Sequence, residues 1–235
     1  MRLREMMLSG ELPGGSRIAE LAVVDKLGVS RTPIRAALLR LQQEGLLEAL
    51  AHGGFAVKTF SERDIADAIE LRGTLEGLLA RLAAERGAPA VVLGEARACL
   101  DEIDRVLEPP ALDEQAFGSY VALNERFHRL LAEMAASPVL RQELERVVKL
   151  PFASASAFVI ASAQAPRARD TLVVAQDQHR QALNAIEARE GARAEAIMRE
   201  HSRLAQRNLS QALAEHGSRS HDASLAQIRL IRRRA

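Results

Sequence analysis

Glycine and proline fall so unevenly along this chain that they constrain its architecture before any other feature. Within the first 58 residues, Gly10, Pro13, Gly14, Gly15, Gly28, Gly45, Gly53 and Gly54 cut the chain into short elements, the mark of a small, tightly turned unit. From Ser61 onward breakers are sparse and the chain runs in long amphipathic segments. Ser61-Glu62-Arg63-Asp64 opens the first of them with a capping residue and an acidic first turn. Gly87-Ala88-Pro89, Pro109-Pro110, Ser137-Pro138, Pro166 and Gly191 end successive segments, which predicts helices over 62–86, 90–108, 113–136, 138–161, 168–189 and 192–216. Aromatic residues make up only 3% of the chain, with no Trp, and Ala, Leu, Arg and Glu recur throughout, a usage that favours helix over sheet. The expected fold is mostly α.

A chain of 235 residues with 48% hydrophobic content can bury a core, which excludes a disordered or collagen-like protein. No apolar run approaches the roughly 18 residues of a membrane span, and MRLREMMLSGEL lacks a secretion signal's apolar stretch; a cytoplasmic location without membrane contact is expected. Cys99, the only cysteine, has no partner for an internal disulfide, in agreement with a reducing compartment. Thirty-two Lys and Arg against 31 Asp and Glu leave a net charge of +1, so any surface for nucleic acid has to be local.

That local surface is sought in the glycine-rich head. Leu21 to Leu27 reads as a short helix, Gly28-Val29 as a turn, and SRTPIRAALLRLQQEG as a second helix capped by Ser30 or Thr32, with Pro33 in its first turn. Two short helices across such a turn make a helix-turn-helix. Ile34, Leu38 and Leu41 recur at i, i+4 and i+7 and face a core, which leaves Arg31, Thr32 and Arg35 at the exposed N-terminal end, the end that enters a major groove. An arginine fork can donate two hydrogen bonds to guanine, and a hydroxyl can reach a phosphate or base edge. LLEAL and FAV, around His52-Gly53-Gly54, read as two strands of a wing. The alternative is that these arginines are solvated charges at the head of a helix.

GELPGGSRI, LGVSRTPIRAALLRLQQEGLL and HGGFAV together resemble the winged helix-turn-helix of the GntR family of bacterial transcriptional regulators, over residues 3–58. The resemblance implies contacts to double-stranded DNA from Ser30, Arg31, Thr32, Arg35, His52 and Gly53. Two positions depart from the family pattern. Ala36 stands where Glu is common, and the wing itself carries no Lys or Arg to bind a phosphate.

Histidines mark the second region. Asn124 and His128 are four residues apart and share a helix face. His179 and His201 are equidistant from residue 190, next to Gly191, so an antiparallel hairpin of 168–189 and 192–216 brings them level, each about 16 Å from the bend. Three imidazoles and an amide oxygen can enclose a divalent cation such as Zn²⁺, Ni²⁺ or Mn²⁺. The alternative is that each is a hydrogen-bonded interior histidine. LRGTLEGLLARLAAERGA (71–88), NERFHRLLAEMAASPVL (124–140) and QHRQALNAIEAREGARAEAIMREH (178–201) are similar to the FCD ligand-binding domain of the FadR-type branch of the same family. That resemblance implies an all-α bundle with a metal site at Asn124, His128, His179 and His201. Asn124 occupies the usual aspartate position, and its neutral amide is a weaker donor for a hard cation.

Members of that branch bind small organic acids, and Arg72 matches the family's arginine, which makes it the candidate clamp for a carboxylate effector; an ion pair with Glu76, one turn along, is the alternative. Asn208, on the same face as His201, and Tyr120 are further candidates for the effector pocket. The implied protein is a homodimeric regulator, a repressor by family habit, with a winged helix-turn-helix domain over 1–58, an FCD-type domain over 59–216 and a basic tail over 217–235. It is expected not to be an enzyme. A metal-dependent hydrolase is the rival, opposed by the absence of HExxH and by Glu125 pointing to another face than Asn124. A purely structural metal is the third reading.

Overall fold

The first helix, α1 (Arg2–Leu8), turns Leu3, Met6 and Met7 inward against the helix-turn-helix that follows. The computed structural model describes residues 2–8, 11–150, 153–156, 168–216 and 231–232; the side chains of Leu8, Ala168 and all residues from 208 on lie outside the description. Among the described residues, α2 (Glu20–Leu27) ends at Gly28 with φ 63°, a left-handed position that glycine adopts without a Cβ clash. The chain then turns into α3 (Arg31–Gln43) through an extended Ser30, whose hydroxyl makes no capping hydrogen bond. Ile34, Leu38 and Leu41 of α3 are buried, as their spacing requires.

The wing strands are β2 (Leu47–Ala49) and β3 (Phe55–Val57), antiparallel. A third strand, β1 (Arg17–Ile18), pairs with the other edge of β3, giving the order β1-β3-β2. Two residues offer no alternation to read, so the sequence expectation contained only two strands. After the wing, β4 (Phe60–Ser61) runs parallel to β5 (Ile231–Arg232). In the basic tail the two described residues form this strand, and the rest lies outside the described residues.

The bundle consists of α4 (Glu62–Arg86), α5 (Ala90–Leu107), α6 (Glu114–Met134), α7 (Pro138–Val147), α8 (Ala168–Glu187) and α9 (Gly191–His216). Ser61 caps α4 in a reciprocal box: its hydroxyl accepts from the Asp64 N–H while the Asp64 carboxylate accepts from the Ser61 N–H. The helix expected over 138–161 ends at Val147. The sequence carries Pro151, which has no N–H to donate and disfavours helical geometry in the residue before it.

Two apolar cores result. Leu79, Ala83, Leu100, Ile103, Phe127 and Leu131 belong to the bundle core. Met7, Val23, Leu38, Leu46 and Val57 belong to the head core, which also takes in Ile65 and Ile69 from the first turns of α4. Thus α4 is anchored in both cores. Against it, α9 approaches unusually closely: a Cβ on Gly73 would lie 2.5 Å from the Cβ of Ser202, and one on Gly77 3.0 Å from the Glu195 carbonyl. The missing side chains are what let α9 carry His201 up to α4.

Candidate nucleic-acid interface and candidate metal centre

The inward pull on Ile34 and Leu38 fixes what α3 shows to solvent. Ser30, Arg31, Thr32 and Arg35 are all exposed, and neither arginine makes a hydrogen bond or ion pair with a described residue. Farther along, Arg40 binds Glu44, which also accepts from Arg4 at 2.5 Å and so ties α1 to the end of α3. His52 and Gly53 are exposed at the wing turn. The Gly53 carbonyl accepts from Arg17, 36 residues earlier, at 3.3 Å.

Within the bundle, successive turns of α4 and α6 present polar groups to the interior. Arg72 and Glu76 come from α4; Tyr120, Asn124 and His128, at i, i+4 and i+8, come from α6; the hairpin of α8 and α9 adds His179 and His201. All seven are buried. The side-chain nitrogens of His128, His179 and His201 include a set lying within 4.8 Å of one another, and the Nε2 atoms of His179 and His201 are 3.1 Å apart.

The orientation of the rings is set by the opposite nitrogens. His128 Nδ1 lies 2.8 Å from the Glu76 carboxylate, His201 Nδ1 3.2 Å from the Gln178 amide oxygen, and His179 Nδ1 3.4 Å from that of Gln176. Gln176 cannot turn round easily, because its NH₂ already donates to the Leu100 carbonyl and to Asp104. With protons on Nδ1, the Nε2 lone pairs are left facing one another, and His128 Nε2 has no partner among the described residues. Such lone pairs repel unless a proton or a cation lies between them. Two nitrogens bound to one tetrahedral Zn²⁺ at about 2.1 Å would be about 3.4 Å apart, close to what is seen. The donor set therefore fits an ion that accepts imidazole nitrogen, and the carboxylate behind His128 is the kind of outer partner that holds a ligating histidine in place.

Other buried atoms also lack partners. The guanidinium of Arg72 is 2% exposed, yet its Nε and Nη1 make no hydrogen bond, and its nearest approach to Glu76 is 3.8 Å. The Tyr120 hydroxyl and Glu76 Oε2 are orphaned as well. Asn124 donates through Nδ2 to Ser156, 3.2 Å away, which leaves its carbonyl oxygen for another use. A buried donor without an acceptor costs about 1–3 kcal/mol, so this concentration of orphans calls for an occupant. Glu76 and His128 also line a cavity of about 380 Å³ with Arg129, Leu144 and Ala155 on its other walls, room for a small organic molecule.

Electrostatics separates these groups. Burial pushes the Glu76 carboxyl up, but the electrostatic pull of His128 and Arg72 and the hydrogen bond from His128 outweigh it and hold the group ionised, at about 2. His179 and His201 lie well below the usual histidine value, chiefly through burial and then through neighbouring imidazoles and Arg72. Burial raises the Tyr120 hydroxyl. Neutral imidazoles are the form that binds a metal.

Among the expected site residues, the structure thus brings Arg72, His128, His179 and His201 into one buried cluster, and Tyr120 and Asn124 are buried on the face of α6 that carries His128. Asn208 falls on α9, outside the described side chains. Missed in the sequence were Gln176, Gln178 and Ser156. Glu76 was noticed only as a partner for Arg72; its spacing from Arg72 placed it on the right face, but nothing in the sequence points it at His128.

A winged helix-turn-helix head with free arginines, carried on an all-α bundle, defines a DNA-binding regulator. Residues 1–57 match the family model for bacterial regulatory proteins of the gntR family, and residues 67–204 match the FCD domain. The chain belongs to the GntR family of transcriptional regulators, in the group that carries an FCD domain. It is 30% identical over 146 residues to the HTH-type transcriptional regulator YdhC of Bacillus subtilis (strain 168), covering 62% of this chain and 63% of YdhC. It is 41% identical over 75 residues to the "Probable D-xylose utilization operon transcriptional repressor" of Paenarthrobacter nicotinovorans, covering 32% and 33%. The matches thus span less than two thirds of either relative. The structure of E. coli McbR/YncC superimposes over 92% of this chain and 95% of its own with a TM-score of 0.62 at 20% identity, a likeness of fold. The family and these relatives are regulators rather than enzymes, which sets the hydrolase reading aside. Among the described residues no helix is long and apolar enough to cross a membrane.

Proposed function

We propose that this protein is a repressor that binds an inverted-repeat operator as a homodimer and is controlled by a small carboxylate bound beside a metal ion. In this reading residues 1–58 read DNA, 59–216 bind the effector, and 217–235 form a basic tail. Arg31 and Arg35 contact guanines, Ser30 and Thr32 contact phosphates or base edges, and His52 and the Gly53 backbone contact the duplex through the wing. Two heads are needed because one recognition helix covers too few base pairs for useful specificity. The P. nicotinovorans relative, named as a probable repressor, supports the sign of regulation.

The observation that carries the effector half is the buried centre: Nε2 atoms turned inward, with Arg72 donors orphaned nearby. His128, His179, His201 and the Asn124 oxygen would hold a divalent ion such as Zn²⁺, Ni²⁺ or Mn²⁺, which supplies positive charge to an acid's oxygens when bound. Arg72 donates to the same carboxylate, Tyr120 can donate a further hydrogen bond, and Asn208 is retained as a pocket candidate on α9. With Asn124 neutral, Glu76 is the only buried carboxylate among the described residues, so an anionic ligand is favoured. The response reaches the head through α4, where Ile65 and Ile69 sit in the head core one to two turns from Arg72, and through Thr59-Phe60-Ser61.

The test is a thermal-shift and calorimetric screen of the metal-loaded protein against mono- and dicarboxylates, followed by DNA release with any acid that binds. An acid that stabilises the protein and weakens its hold on DNA is the expected result. Absence of any response across the panel contradicts the effector assignment.

A further inference from the structure

The wing turn, Ala51-His52-Gly53-Gly54, contains no lysine or arginine, yet the structure gives it a cation from elsewhere in the chain. Arg17 lies on β1 directly opposite Ala56 of β3, and Ala56 in turn lies opposite Glu48 of β2. Facing residues of an antiparallel pair share a face, so Arg17, Ala56 and Glu48 cross the outer face in a row, while Ile18, Val57 and Leu47 turn into the head core. Glu48 is the carboxylate that a strand arginine in that row would be expected to meet. Arg17 makes no ion pair with it. The guanidinium instead reaches toward the tip, donating from Nη2 to the Gly53 carbonyl at 3.3 Å and passing 3.6 Å from the position a Cβ on Gly54 would occupy.

That hydrogen bond is long, exposed and to a neutral acceptor, so it contributes little to stability. The arginine is exposed, its other N–H groups have no partner among the described residues, and Gly53 and Gly54 beside it put no side chain in its way. Lys58, at the end of β3, is exposed, with its ammonium 5.4 Å from the centre of the Phe60 ring.

We propose that Arg17 is the phosphate-binding residue of the wing: its guanidinium, carried by β1 rather than by the wing turn, contacts a backbone phosphate of bound duplex DNA. The contact is indifferent to base sequence, since a phosphate presents the same oxygens everywhere. It rests on the assignment of the head as the DNA-reading surface.

The experiment uses the full-length chain and a fluorescent 30-base-pair duplex of mixed sequence, with the dissociation constant followed by anisotropy as salt is raised. Each phosphate contact contributes about one unit to the slope of log affinity against log salt. Arg17→Ala is expected to make the slope shallower by about one and to leave the melting temperature in place, and Arg17→Lys to restore the slope. An unchanged slope in Arg17→Ala, or an Arg17→Lys protein that behaves like the alanine variant, overturns the inference. Arg31→Ala runs alongside: if its binding also matches the wild type, the failure lies in the DNA-reading surface as a whole, whereas loss in Arg31→Ala alone rejects only the role of Arg17.

Discussion

Two kinds of arginine distinguish the head from the bundle. Arg31 and Arg35 point from the head of α3 into water, where hydration satisfies their donors at no cost to folding. Arg72 is enclosed in the bundle with Nε and Nη1 unbonded, where each orphaned donor is a standing penalty. Exposure makes the first pair available to any partner, with specificity coming from the helix that aims them. Burial makes the second arginine informative about its partner, because a site that tolerates such a group gains most from an anion that pairs with it. The head can therefore be read as a surface, and the bundle as a receptor.

The comparison breaks first at the histidines. Replacing His179 with Ala removes one of the converging Nε2 atoms, and metal affinity measured by calorimetry is expected to fall by more than about a hundredfold, beyond the ten- to hundredfold typical of an outer partner. Glu76→Gln should fall within that smaller range, since it weakens only the hold on His128. Next in size is the head: Arg31→Ala should cost about 1–3 kcal/mol of operator binding and relax preference at the base it contacts, read by anisotropy on matched and mismatched duplexes, without touching metal affinity.

A third test addresses the packing that brings the two ends of the centre together. Gly73→Ala forces a methyl group against Ser202, and overpacking of this kind costs about 1–3 kcal/mol. For a chain of this size that is a fall in melting temperature of about 2–12 °C, accompanied by weaker metal binding because α9 carries His201.

The smallest effect is on pH dependence of the metal-free protein. His179 and His201 are held well below the usual value of 6.5, so at pH below 6.5 the unfolded chain takes up protons that the folded chain refuses. Stability is therefore expected to fall as pH drops from about 6.5 toward the depressed folded values, and to be flat with respect to these groups above 6.5. Glu76 acts in a lower window: its contribution is complete above the ordinary 4.5 and disappears as pH approaches about 2. Urea melts at pH 7.5 and 5.5 of wild type and a His179→Phe variant check the first window, with a smaller pH dependence expected in the variant.

How much of this was legible beforehand followed the range of the interactions. The limits of α4 were readable because Ser61, Asp64 and Gly87 act within one turn of the helix they bound. The expectation for α7 ran too long because Pro151 was not counted among the breakers. In the head, β1 was invisible because two residues have no pattern, and with it went Arg17, whose approach to the wing exists only through strand pairing across 36 residues. The histidines could be grouped from hairpin symmetry, since a hairpin maps sequence distance directly onto height. Gln176 and Gln178 could not, because a glutamine on a helix carries no mark of which ring nitrogen it faces. Glu76 was in view through its helical spacing from Arg72, with which it pairs at 3.8 Å, while its closer contact with His128, 52 residues away, was not.

The most direct measurement is a calorimetric titration of the metal-stripped full-length protein with Zn²⁺, run in parallel on the His179→Ala variant. One ion per chain in the wild type, with binding abolished or weakened at least a hundredfold in the variant, is what converging imidazoles predict. No saturable binding to the wild type, or equal binding to both proteins, would contradict the claim that the bundle interior is a receptor centre.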